Sequence, residues 1–390
     1  MQPATSPESH DVVVIGGGGS GLSVAGLLSS AGIGAVVLER SAVGASWRSR
    51  YERLHLHTHR LLSTYPGLRP ARSRGAWIAR DGMVEYLEAY VAHHGLDVRT
   101  GVEAGRVDRH GEIWRVASTA GEFIARHVVI ATGYNHRPRR PDWPGARSFS
   151  GELIHGSEYR NYAPYVDRDV LVVGSGNTGA EIAQDLAEHG ARRVRISIRK
   201  PPHIVPRNIG PLPITALTIA IWRLPSWLTD PMIALTQRLL IGNLSRHGLP
   251  APAEGAFARH GRDADYIPLL DVGFVRELKR GRIEVVAAVA RIDGARVHLS
   301  DGTVIEPQAM IAATGYERAL EPLVGHLGVL GANGAPLPRR PAEVAPDAAG
   351  LHFVGFLNDF NGAIWAHSWE ARRVARAIVR DERRRVAEAA

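Results

Sequence analysis

Short unbroken apolar runs alternate along the chain with stretches of helical spacing, and two of these alternations are built alike. Val12 to Ile15 form an apolar run bounded by glycines, the pattern of a strand buried on both faces. Gly16, Gly18 and Gly21 follow, then a helical stretch, then a second apolar strand ending at Glu39. The grammar returns at "DVLVVGSGNTGAEIAQDLAEHGARRVRISIRK", with Gly174, Gly176 and Gly179 between strand and helix and a second strand from Val194 to Ile198. Each unit closes on an apolar strand running into Thr-Gly-Tyr, "HVVIATGY" at 127–134 and "AMIAATGY" at 309–316. A hairpin-like stretch precedes each closing strand. The pattern predicts an α/β fold of two Rossmann-type dinucleotide-binding domains, the second inserted in the first. The expected boundaries are 1–164 and 317–390 for the first domain and 165–316 for the second, with a helical cap over 207–265. The tail returns to the first domain with a strand, "LHFVGF", and a last helix starting near Gly362.

A lone G-x-G-x-x-G is weak in a glycine-rich chain. Here a strand precedes it, a helix follows, and an acid ends the next strand, so the spacing points to a pyrophosphate seated on a helix N-terminus. Glu39 would accept the hydrogens of an adenosine ribose. The second unit ends instead in Arg199-Lys200. A carboxylate repels a ribose 2′-phosphate, whereas a guanidinium binds it through paired charge-assisted hydrogen bonds. FAD in the first unit and NADPH in the second is the economical assignment. The expected FAD set is Gly16, Gly18, Gly19, Ser20, Gly21, Glu39 and Arg40, then Val107, Thr132, Gly133, Asn361 and Gly362. The expected NADPH set is Gly174, Ser175, Gly176, Asn177, Thr178, Gly179, Arg199 and Lys200, closed by Thr314 and Gly315.

Composition narrows the chemistry. The 390 residues suit two domains of ordinary size, and the formal charge of +8 is carried almost wholly by scattered arginines. Scattered charge of this kind reads as a solvated surface before a polyanion site, with cationic pockets for phosphates left open, so no nucleic-acid partner is expected. There is no cysteine, which removes disulfides, thiolate metal sites and every redox route through a cysteine pair. The N-terminus lacks the features of a signal peptide, and the most apolar region, 211–244, is too interrupted for a membrane span. A cytoplasmic location is expected, and a homo-oligomer is compatible with the sequence.

Between the two glycine loops lies "SFSGELIHGSEYRN", in which Phe149, Gly151, His155 and Tyr159 are followed by Arg160. This F-x-G-x-x-x-H-x-x-x-Y string matches the fingerprint of flavin-containing monooxygenases. "GSGNTGAE", "RKPPHIVPR", "IPLLDVGFVRELKRGRIEV" and "IAATGYE" resemble the plant flavin monooxygenases of the YUCCA type, over residues 11 to 380. The resemblance implies that NADPH reduces FAD and that O₂ adds to the reduced ring. The resulting C4a-hydroperoxyflavin gives one oxygen atom to a small organic substrate and the other to water. It also places Ser46, Trp47 and Arg48, with His57, near the flavin. Thr58 matches a Thr-Asn pair of many relatives, but His59 stands where the asparagine is expected. Thr58, His59 and His155 are the candidate catalytic residues, with His155 more suited to ordering the joint than to proton transfer. His55, His57 and His59 are expected on one strand face with no carboxylate beside them, so no metal is expected. Near the end, Ser368-Trp369 departs from the plant-type Asp-Ala pattern. An arylpyruvate-type 2-oxo acid, an amine and a thioether all suit an apolar aromatic cap, in which Trp222 and Trp227 are expected to pack inward. Two rivals stay open: an NADPH-dependent flavin oxidase or reductase that makes peroxide, and a non-catalytic redox-sensing flavoprotein.

Overall fold

The computed structural model describes residues 6–210, 212–222, 224–337 and 348–389. The chain opens with strand β1 (Glu8–Ile15), helix α1 (Gly19–Ser29) and β2 (Ala35–Glu39), followed by the short helix α2 (Ala45–Arg48) and the longer α3 (Arg80–His94). Strands β3 (Asp97–Thr100), β4 (Ala104–His110), β5 (Ile113–Ser118) and β6 (Gly121–Ile130) complete the first run. They form one sheet in the order β3-β2-β1-β6-β5-β4, and Leu351–Phe353 from the tail adds to β6. β1, β2, β3 and β6 run parallel, while β4, β5 and β6 form an antiparallel meander. Alternation along β1 explains its unbroken apolar run. Val12 and Val14 pack with Leu22, Tyr90 and Val374 on one face. Val13 and Ile15 pack with Trp114 and Val116 on the other.

A two-residue strand β7 (Arg137–Pro138) pairs antiparallel with Tyr316–Glu317, so the two crossings between sheets run side by side. Arg137 ties them by donating from Nε and Nη2 to Glu317 Oε2 at 2.9 and 2.6 Å. The second sheet takes β8 (Glu152–His155), β9 (Asp169–Val173) and β10 (Arg193–Ser197), with helix α4 (Asn177–Glu188) connecting the last two. Its order is Ile283–Val286, β10, β9, Ala309–Ala312, β8, all parallel. Strand β8 lies N-terminal of the boundary expected near 165 yet belongs to this second sheet. Its backbone finds a ladder partner in Ala309–Ala312, which is distant in sequence.

The cap contains β11 (Ile204–Pro206) and helices α5 (Ile214–Ile221), α6 (Ser226–Thr236) and α7 (Ala256–Arg262). Val205, Ile214, Ile233 and Ala256 give it a small core of its own. The expected inward packing of both cap tryptophans is overturned: Trp227 is 75% exposed and Trp222 44%. The last helix runs from Ala363 to Ala389. Among the described residues no helix is long and apolar enough to cross a membrane.

Candidate active site

The two glycine loops divide their labour identically. Gly16 has φ +113°, and a Cβ there would sit 2.5 Å from the Ala131 carbonyl oxygen; one at Gly21 would sit 2.1 Å from the Gly16 oxygen. In the second loop Gly174 has φ +131°, with a Cβ 2.3 Å from the Ala313 oxygen, and Gly179 would meet the Gly174 oxygen at 2.2 Å. These four glycines are needed by the fold. The middle glycines differ. A Cβ at Gly18 or Gly176 meets nothing within 4 Å, and each is the extended residue capping a helix, α1 or α4. Each faces open space where a phosphate can lie against unpaired helical N–H groups.

Around the first loop, Glu39 accepts from Gly17 N (2.8 Å) and Ser41 N (2.9 Å), which holds its carboxylate against the turn. Arg40 Nη1 lies 3.2 Å from His136 Nε2. Gly19 is backed by the Tyr65 hydroxyl, and Ser20 is buried beside Gly355. The Val107 side chain is wholly buried in the core, so what this edge strand offers a ligand at Val107 is its backbone. The Thr132 hydroxyl and both polar atoms of the Asn361 amide are buried with no hydrogen-bond partner. Buried polar groups rarely stay unpaired, so these residues fit a bound dinucleotide. Gly133, at φ +77°, turns the chain beside Thr132.

Beyond the loop, Gly362, at φ +96°, leaves no room for a Cβ because the Thr58 hydroxyl would lie 2.6 Å away. The tail is thus pressed onto the segment carrying Thr58. On α2, Ser46 is exposed, Trp47 packs on the first core, and Arg48 pairs with Glu88.

At the second loop, Asn177 Oδ1 accepts from Leu270 N (2.8 Å) and Ser175 Oγ donates to the Lys200 carbonyl (3.3 Å). Thr178 packs against Gly156. Thr314 Oγ1 donates to the Arg139 carbonyl at 2.5 Å. Arg199 and Lys200 are exposed, and neither is paired with a carboxylate among the described residues.

His155 is 1% exposed and both ring nitrogens are taken. Nε2 donates to the Gly315 carbonyl at 3.1 Å, and Nδ1 accepts from Ser157 N at 3.0 Å. Burial lowers its pKa, so the ring is neutral and fully engaged. This replaces a catalytic role for His155 with a structural one. Tyr159 and Arg160 act alike: the tyrosine donates to Asp185 Oδ2 (2.6 Å) and the arginine to the carbonyls of Ser49 and Ser157 (both 2.7 Å). The fingerprint is a clamp holding β8, α4 and the α2 segment together.

The three histidines do not share a strand face. His55 makes an isolated bridge to Ala79. His57 Nε2 lies 2.7 Å from Glu181 Oε1, a carboxylate from α4 that the sequence reading did not foresee, although the contact lacks hydrogen-bond alignment. Burial and this carboxylate push the Tyr51 phenol well above its usual value. His59 meets the Trp77 ring edge-on at 5.7 Å. Partial burial and the neighbouring Arg60 lower its pKa and keep it uncharged at neutral pH. Beyond Trp77 lies Arg207, its guanidinium carbon 4.4 Å from the ring centre. Trp77, Arg207 and Glu181 were missed by sequence reasoning; only "RKPPHIVPR", which ends on Arg207, carried a signal. They line a cavity of about 430 Å³ together with Arg53 and His55. A wider, open cavity of about 610 Å³ lies at the amino ends of β1, β2 and β3, away from both loops.

Elsewhere, the ligand atoms of His127, Asp381 and Glu382 lie within 4.8 Å of one another. Arg126 already satisfies Glu382 through Nε (2.9 Å) and Nη2 (2.7 Å), which leaves a cation little to gain there.

Two helix-capped glycine loops, one beside an acid and one beside paired cations, define a flavoprotein oxidoreductase with two dinucleotide sites. Comparison with known proteins narrows the class. The pattern of the pyridine nucleotide-disulphide oxidoreductase family matches residues 13–207. Indole-3-pyruvate monooxygenase YUCCA1 of Oryza sativa subsp. japonica is 37% identical over 310 residues, 78% of this chain and 76% of the rice protein. The structure of a flavin monooxygenase from Stenotrophomonas maltophilia superposes with a TM-score of 0.71 at 25% identity, covering 95% of this chain and 98% of that one. Cyclohexanone monooxygenase from Rhodococcus sp. Phi1, bound to NADP⁺, shares the fold at 22% identity and a TM-score of 0.70, covering 95% of this chain and 85% of that one. The chain belongs to the flavin monooxygenase family. It is a flavin-dependent monooxygenase that uses FAD and NADPH. Having no cysteine, it has no thiol of its own for disulphide exchange.

Charge-assisted hydrogen bonds are strong enough to make the second loop's cations testable. Arg199→Ala is expected to raise the KM for NADPH about ten- to hundred-fold while leaving NADH nearly unchanged. Steady-state titration of both nucleotides checks this, and an equal loss for both would assign Arg199 to the fold.

Proposed function

We propose that the enzyme oxidatively decarboxylates an aromatic 2-oxo acid, transferring oxygen by the flavin C4a route. The observation that carries this reading is Arg207. It is half-buried on Trp77, burial lowers its pKa against the opposing charge of Glu181 across the cavity, and no carboxylate among the described residues closes to an ion pair with it. Arg53, the other guanidinium of the cavity, is already neutralised by Asp185 (3.1 Å) and Glu188 (2.9 Å). Glu181 is turned to His57 and Tyr51. Arg207 is therefore the cation available to a ligand carboxylate, which it can grip through two parallel hydrogen bonds. Trp77 supplies an aromatic face beside it, and the cavity suits a small aromatic acid. The relatives named as indole-3-pyruvate monooxygenases act on a molecule with both features. Amines and thioethers suit this cavity less, because a desolvated guanidinium gains nothing from them.

Bound FAD, once reduced by NADPH, supplies the electrons that activate O₂. The overall change balances as 2-oxo acid, O₂, NADPH and a proton giving the carboxylic acid one carbon shorter, CO₂, NADP⁺ and water. This chain's residues bind and orient: Arg207 fixes the carboxylate, and Trp77, braced edge-on by His59, walls the site. Turnover of phenylpyruvate or indole-3-pyruvate under ¹⁸O₂ is expected to place one labelled oxygen in the arylacetate. Stoichiometric peroxide with no labelled acid would make the chain an uncoupled oxidase.

A further inference from the structure

The cap presents an apolar surface that the oxygenase reading does not use. Ten of the eighteen exposed large apolar side chains among the described residues fall between Leu212 and Leu240. Helix α6 turns Ile233 and Thr229 inward, where Ile233 joins the cap core. Its outward face is equally apolar: Trp227, Leu228, Met232 and Leu235 on α6, then Leu239 and Leu240 on the wide-turn continuation Gln237–Ile241. Leu239 is 72% exposed and Trp227 75%. A helix apolar on all sides is ordinarily covered on all sides, and a contiguous exposed patch of this kind marks an interaction surface.

The charge around the patch says what covers it. Asp230 is the sole acid between Arg207 and Ala253. Its oxygens accept from Phe257 N (2.7 Å) and Ala258 N (3.2 Å) at the start of α7, so its charge is spent inside the cap. Arg238 and Arg246 are exposed, with no carboxylate of the described residues paired to them. In a two-fold pairing of copies the same patch meets itself, which would set these arginines against each other while the one acid of the segment is already engaged. An anionic bilayer answers both features. Its acyl boundary takes the leucines and methionine, Trp227 suits the headgroup level, and the arginines meet lipid phosphates. The chain's net charge of +8 adds a general attraction to such a surface.

We propose that the outer face of α6 and its continuation docks the enzyme on an anionic phospholipid surface, lying on it and not crossing it. The test is flotation of the FAD-loaded enzyme with phosphatidylcholine vesicles, with and without phosphatidylglycerol. Binding is expected to the anionic vesicles, to weaken in high salt, and to fall about ten-fold or more in the double variant Trp227→Ser, Leu239→Ser. The variant should keep its FAD content and its NADPH oxidation in free solution, which shows that the cap still folds. Arg238→Glu should reduce binding to the anionic vesicles selectively. Wild-type enzyme that stays unbound on anionic vesicles would overturn the proposal, as would binding unchanged in the double variant. A dimer seen by sedimentation that the double variant dissolves would overturn it too, assigning the face to a second copy.

Discussion

Gly18→Val is expected to give a folded but colourless protein, with FAD affinity reduced by more than about a hundred-fold. The position tolerates a side chain as far as the protein is concerned. Gly18 is extended, at φ −78° and ψ 174°, and its Cβ would meet nothing within 4 Å. What the valine would meet is the pyrophosphate. Backbone hydrogen bonds to a charged group contribute roughly 1.5–3 kcal/mol each, so displacing two of them accounts for a loss of this size. Gly176→Val is the matched control, expected to keep the flavin and lose NADPH. Gly16→Ala should behave differently from both. Its left-handed backbone and the Ala131 oxygen 2.5 Å from the new Cβ put the strain in the protein, at about 1–3 kcal/mol for the backbone alone. Flavin absorbance together with a thermal melt separates the three. A yellow Gly18→Val protein would show that the phosphate lies elsewhere.

Arg207→Ala is expected to lower kcat/KM for aromatic 2-oxo acids about ten- to a hundred-fold, mainly through KM. Flavin reduction by NADPH should be unaffected, because the cations assigned to the nucleotide are Arg199 and Lys200. Arg207→Lys should recover part of the loss, since an ammonium keeps the charge but not the planar pair of donors. Substrates without a carboxylate should be insensitive to both changes. If the KM for NADPH rises in step with that of the 2-oxo acid, Arg207 serves the nucleotide and the proposed substrate class loses its support.

Much of this was legible along the chain because it is encoded locally. A buried parallel strand, a glycine turn and a helix N-terminus are adjacent in sequence, so Gly16 to Glu39 and Gly174 to Lys200 announce themselves by spacing alone. The split of roles within each loop was not legible. Gly16 and Gly21 look like Gly18 in the sequence, and only the positions of Ala131 and of the Gly16 carbonyl separate those that serve the fold from the one that faces a ligand. His155 shows the same limit. Its neighbours suggested a joint, but the Gly315 carbonyl that accepts its hydrogen bond is 160 positions away.

The sequence by itself determined the class of protein, two dinucleotide units with opposite charge at their ribose ends and no thiol chemistry, because each of those features is a matter of residue type and short spacing. Tertiary structure decided the rest. It paired His57 with Glu181, placed Arg207 over Trp77, moved β8 into the second sheet and left Trp227 facing outward. The physical reason is common to all four. Contacts between distant segments leave no periodic trace, and a helix apolar on every side carries no signal of which face turns to the core.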